Sequence, residues 1–147
     1  MERMILLESG RWYARIDMDA GRREHLVLTD PSYPADSMRA RLPFSWRQRD
    51  EAALEELARD PAVRFWTDEY GIQWRIAVVG PDSPHDLPLE ERYLVFDSRQ
   101  AWAGVTPIDD RRLGELSSDE LRELRDGLSD IGGGRRAFRP PASVPEA

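Results

Sequence analysis

Residues 72–79 read Ile-Gln-Trp-Arg-Ile-Ala-Val-Val, set between Gly71 and Gly80-Pro81, and are the most apolar stretch of the chain. Ile72, Trp74, Ile76 and Val78 recur at period two, which lines one face of a strand with apolar side chains. The opposite face starts polar at Gln73 and Arg75 and turns apolar at Ala77 and Val79. A strand covered on one side throughout, and on the other only near its end, belongs inside a sheet. The rest of the chain is therefore read for neighbouring strands and for helices to cover them.

Strand patterns are frequent. Residues 4–8 form a short apolar run closed by Ser9-Gly10, and residues 12–19 alternate, with Trp12, Ala14, Ile16 and Met18 on one side. Ala20-Gly21-Arg22-Arg23 turns the chain into a strand over 24–29. Asp30-Pro31-Ser32-Tyr33-Pro34 reads as a loop, because its two prolines lack donors and have fixed φ. Further strands are expected at 38–44, near an edge because of Pro43, and at 63–67, 92–97 and 101–108. Asp68-Glu69-Tyr70-Gly71 is a hairpin loop in which Gly71 can take positive φ.

Two helices complete the set. Asp50 is placed to cap the first, whose apolar stripe is Ala53, Leu54, Leu57 and Ala58, and Pro61 stops it. Ser117 and Glu120 have capping-box spacing, and Leu116 with Leu121 has that of a hydrophobic staple. On the second helix Leu121, Leu124 and Leu128 are expected to face the core, while Arg122, Glu123, Arg125 and Asp126 face water.

The fold expected is α+β: an antiparallel sheet of about six to eight short strands with two helices on one side. Trp12 with Trp74, Leu26 with Leu94, Pro43 with Pro107, and Leu54 and Leu57 with Leu121 and Leu124 recur at separations of 62 to 68 residues. This spacing suggests a duplicated β-β-β-α unit, with half-repeats at 1–61 and 62–131 of a single domain over 1–131. Gly132-Gly133-Gly134 opens a flexible Gly-, Arg- and Pro-rich tail over 132–147.

Composition narrows the chemistry. A net charge of -7 opposes broad attraction to nucleic acid or anionic lipid. Cysteine is absent, so thiolate nucleophiles, thiolate metal sites and disulfides are excluded. All 21 basic residues are arginine, and asparagine is missing too, as GC-rich coding produces. No ε-amine is present for a Schiff base or a lysine general base. The first residues lack the apolar length of a signal peptide, and no window reaches the roughly 18 apolar residues of a membrane span. A cytoplasmic protein with no membrane association is expected.

Catalytic signatures are sparse. His25 falls in a strand and His85 in a proline-rich loop, with no second histidine at ligand spacing. Neither a phosphate-binding glycine loop nor a nucleophile elbow occurs. The carboxylate pairs Asp17 and Asp19, Glu90 and Glu91, and Asp109 and Asp110 lie at strand ends or in loops, where solvated charge is the ordinary state. No catalytic residue, metal or cofactor is assigned, and the chain is read as a non-enzyme.

What stands above background is arginine next to aromatic rings. Ser45-Trp46-Arg47-Gln48-Arg49 lies in a polar context between a strand and a helix, and Arg99-Gln100 precedes Trp102. Such pairs anchor protein interfaces, although for each ring taken singly, closing the end of a core under an arginine stem is the favoured reading. In the tail, Phe138 sits among arginines and prolines, as groove-docking peptides do. Partner contact is thus assigned to Trp46, Arg47, Arg49, Arg99, Trp102 and Phe138. The leading expectation is a small adaptor or regulatory subunit acting by contact with another protein. An acidic inhibitor of the antitoxin or immunity type, covering a basic partner, is the alternative. Single-stranded nucleic-acid binding through Arg and Trp ranks third, and an ion-assisted carboxylate enzyme last.

Overall fold

The computed structural model describes residues 2–43, 46, 51–80, 92–99, 104–108 and 110–128. Among these residues eight antiparallel strands follow one another in the sheet in the order of the sequence. They are β1 (Glu2–Leu7), β2 (Gly10–Met18), β3 (Glu24–Asp30), β4 (Tyr33–Arg41), β5 (Val63–Thr67), β6 (Gln73–Val79), β7 (Tyr93–Asp97) and β8 (Gly104–Pro107). Helix α1 (Glu51–Arg59) follows β4, and a 3-10 turn at Leu113–Glu115 leads to α2 (Ser118–Asp126). The class is α+β. Among the described residues four strands precede α1 and four more precede α2, where the spacing suggests three. By compactness the chain divides into Met1–Phe65 with Asp110–Ser117, and Trp66–Asp109 with Ser118–Ala147.

In the first unit, tight turns set the register. Leu7 pairs with Gly10, leaving Glu8 and Ser9 as a two-residue loop, and Gly10 takes φ 135. Between β2 and β3 the residue in the left-handed region is Arg22 (φ 61), not the neighbouring glycine. Asp19 makes that turn possible: its Oδ1 accepts the amides of Gly21 and Arg23, each at 2.9 Å. Strand β4 begins at Tyr33, five residues before the expected start at 38. The pairing jumps from Thr29↔Ser37 to Asp30↔Tyr33, so Pro34 lies in a bulge where no ladder donor is required.

The apolar period of β2 gives the first core. Trp12 and Ala14 meet Ile5 and Leu7 of β1, Leu26 and Leu28 of β3, and Met38 and Ala40 of β4, all buried. Leu54 and Ala58 of α1 close this cluster. Arg3 fastens β1 to the helix, with Nη1 at 2.9 Å from Glu51 and Nη2 at 2.7 Å from Glu55. Asp50, assigned as the cap of α1, lies outside the described residues.

The second unit is built on the apolar stretch 72–79, which supplies β6. Trp74 and Ile76 are fully buried while Gln73 and Arg75 are exposed, the alternation that period two predicts. Val79 is buried as well, at the end where coverage was expected to become two-sided. Gly71 takes φ 79 in the loop before β6. Trp74 packs edge-on against Phe96 of β7, centroids 5.9 Å apart. Helix α2 starts directly after Ser117, where the capping box puts its first turn; Leu121 is buried, Leu124 half-buried, and Leu128, also buried, lies just past the helix end at Asp126. Arg125, expected in water, is 2% exposed. Among the described residues no helix is long and apolar enough to cross a membrane.

Candidate protein interface

Alternation fixes which side chains the first unit leaves uncovered. Ile5 stands opposite Trp12 on the core face, so Met4 opposite Tyr13 and Leu6 opposite Arg11 point the other way. Met4 is 44% exposed and Leu6 77% exposed, in a strand that stands first in the sheet order. Tyr13 continues this face to Thr29 of β3. The phenol of Tyr13 hydrogen-bonds to the Glu2 carboxylate; that bond, then burial, raises its pKa above the ordinary tyrosine value. Beside Met4 opens a cavity of about 520 Å³, bounded by Arg11, Trp12, Asp30 and Pro31. Two turns of the chain, β1–β2 and β3–β4, form its rim.

The residues assigned to partner contact by sequence fall differently. Trp46 donates its amide to the Pro43 carbonyl at 3.1 Å and packs, partly buried, against the first core beside Ile16 and Leu57. That is the placement described by the core-closing alternative. Arg99 is exposed in the second unit. Arg47, Arg49, Trp102 and Phe138 lie outside the described residues, as do His85, Asp109 and the triple glycine. Among the described residues no group of three or more histidines and carboxylates is placed to hold a metal ion.

Two arginines, Arg64 and Arg125, are buried among the described residues. Arg64 is 4% exposed. Its Nη1 donates to the carbonyls of Leu113 at 3.0 Å and Leu116 at 2.7 Å, and its guanidinium lies 5.3 Å from the Trp12 ring centroid. The Trp12 indole N–H donates to Ser9 Oγ at 2.9 Å, and Ser9 in turn donates to the Gly114 carbonyl. The 3-10 turn is thereby tied to β2 and β5 by polar contacts as well as by Leu113.

In the second unit Arg125 reaches Asp68 at 3.2 Å, Asp126 at 2.8 Å and Glu69, with Tyr70 and Trp66 against its guanidinium. Burial by itself lowers the pKa of Arg125, but hydrogen bonds to Asp126 and Glu69 outweigh it, and the group titrates above its ordinary value. Asp68 is saturated: Oδ1 accepts the amides of Tyr70 and Ile72, and Oδ2 accepts the Trp74 indole, each at 2.9 Å. A faint signal of both arginines was legible. Arg64 shares strand parity with Trp66, and Arg125 follows Leu121 by one helical turn.

Compared with known protein families, curated proteins and solved structures, the chain matches none of them.

Proposed function

We propose that this chain is a non-enzymatic protein-interaction module, a small adaptor or regulatory subunit, which meets its partner along β1. The observation supporting this reading is the exposure of Met4 and Leu6 on a strand at the end of the sheet order. Sheet edges of isolated proteins are commonly blunted by lysine, proline, a bulge or an inward charge. The Met-Ile-Leu-Leu run of β1 has no lysine, proline or bulge; its charges are at its start, Glu2 and Arg3, and Arg3 turns inward to Glu51 and Glu55 of α1. Such an edge suits an extended segment of a partner that adds a strand. Alternate apolar side chains of that segment would lie over Met4 and Leu6, and one larger side chain would fill the cavity beside Arg11 and Trp12.

The acidic-inhibitor alternative calls for unneutralised acid on a docking face. On α1 the carboxylates of Glu51 and Glu55 are matched by Arg3, and Glu56 by Arg59 and Arg112. This local pairing favours the edge-strand reading. The test is a photo-crosslinking residue in place of Leu6, used in cells that make the protein. A single protein captured there, which binds the purified chain and fails to bind Leu6→Glu, supports the proposal. A partner whose affinity collapses with salt but ignores Leu6→Glu supports the inhibitory reading instead.

A further inference from the structure

The same outer face of the first unit carries a second feature at the opposite end of its strands. Arg39 and Arg41 project from β4 two residues apart, hence on one face, and Arg41 stands opposite His25 of β3. Both arginines are exposed, and neither forms an ion pair among the described residues. Together with Arg23 and His25 they bound a cavity of about 590 Å³, whose apolar wall is Ala62 and Val63. The volume is in the range of small-ligand sites.

This wall of donors is held in position. His25 Nε2 lies 2.9 Å from Asp19 Oδ2, so the carboxylate accepts a hydrogen bond from the ring and fixes the imidazole orientation. The other Asp19 oxygen accepts the Gly21 and Arg23 amides, which sets the turn carrying Arg23. Asp19, the one carboxylate lining the cavity among the described residues, therefore has both oxygens engaged and leaves the guanidiniums of Arg39 and Arg41 to other acceptors. On the other side, the Arg39 carbonyl accepts the Ala62 amide at 2.9 Å and anchors the apolar wall to β4.

We propose that this cavity binds a small ligand through a phosphate group, with Arg39 and Arg41 as its principal contacts. Two guanidinium forks offer paired N–H donors to a tetrahedral oxyanion, which has more acceptor oxygens than a carboxylate. The net charge of -7 repels a long polyanion but not a compact one seated within a few ångströms of two arginines, because salt screens the more distant charges. A small phosphate ester or diphosphate is therefore the class of ligand, and a nucleic-acid strand is not. This site does not depend on the β1 contact.

The test is an amide NMR titration of the full chain with inorganic pyrophosphate at low salt. Saturable one-site shifts are expected at His25, Arg39, Arg41, Ala62 and Val63. Arg39→Gln with Arg41→Gln should weaken binding at least about tenfold, the loss expected from charge-assisted hydrogen bonds. Arg11→Gln with Arg75→Gln removes the same charge away from the cavity and should leave affinity within a factor of about two. Both pairs are exposed, and dispersed amide spectra verify that each variant folds. Unsaturated shifts up to about 10 mM pyrophosphate, or equal losses in the two double variants, would overturn the proposal.

Discussion

Arg125 Nη1 stands 3.2 Å from Asp68 Oδ2, 57 positions away in the chain, and both side chains are withdrawn from water. This pair joins α2 to the loop between β5 and β6. It is also the centre of a wider set, because Asp68 holds two loop amides and the Trp74 indole. The most apolar strand of the protein thus has its position fixed by a charge.

Removing either partner should be costly, and to different degrees. Arg125→Met leaves Asp68 with its three neutral donors and should cost about 3 kcal/mol. Asp68→Ala strands those donors and the guanidinium together, and should cost about 3–5 kcal/mol. Urea unfolding gives both values. Equal small losses would show that the network is not a determinant of stability.

Gly114 separates a steric requirement from a conformational one. A methyl group there would overlap the carbonyl oxygens of Ala58 and Arg59 at the end of α1. Gly114→Ala should therefore destabilise by about 1–3 kcal/mol, the range for overpacking. At Gly127 an added methyl meets Glu123 and Leu124 oxygens at 3.7 Å, ordinary contact distance. Gly127→Ala should be neutral or stabilising by about 0.4–1 kcal/mol. Thermal unfolding of the two variants side by side checks the contrast.

Asp19 gives the β2–β3 turn a pH dependence. The hydrogen bond from His25, and after it the Arg23 amide, holds its pKa below the ordinary carboxylate value. A depressed pKa means stability that is present above the unfolded value and disappears as pH falls through the folded one. Asp19→Asn should accordingly lower the melting temperature at neutral pH, and the gap should close in acid below the usual carboxylate range. A gap that stays constant with pH would show that the charge of Asp19 contributes nothing.

The two faces of β1 should respond oppositely to the same substitution. Leu6→Glu places a carboxylate in water and should change stability by no more than about 0.5 kcal/mol. Ile5→Glu puts one among Trp12, Leu28 and their neighbours, where an unpaired charge is not tolerated, and should unfold the first unit. Circular dichroism distinguishes these outcomes.

Periodicity carried most of the architecture. Trp74 and Ile76 in β6, Trp12 and Ala14 in β2, and the helix starting after Ser117 are all visible in residue spacing, because strand and helix faces are local properties. The start of β4 was hidden, since Pro31 and Pro34 mimic a loop and only the bulge at Thr29/Asp30 reveals how a proline is accommodated. Arginine on a helix is solvated by default, so spacing alone puts Arg125 in water; the groups that reverse this, Asp68 and Glu69, arrive from remote sequence. The candidate surface was less legible still. Met4 and Leu6 look like core in an apolar run, and only the register with Arg11 and Tyr13, against the helix on the other face, shows that they are exposed.

The proposed meeting of β1 with a partner makes a direct demand on the backbone of that strand. Amide hydrogen exchange across residues 2–7, measured with and without the partner captured at position 6, tests it most directly. Added protection concentrated in β1 and at the rim of the cavity beside Met4 is the predicted result. A complex that forms while exchange in β1 stays at its free rate would contradict the account.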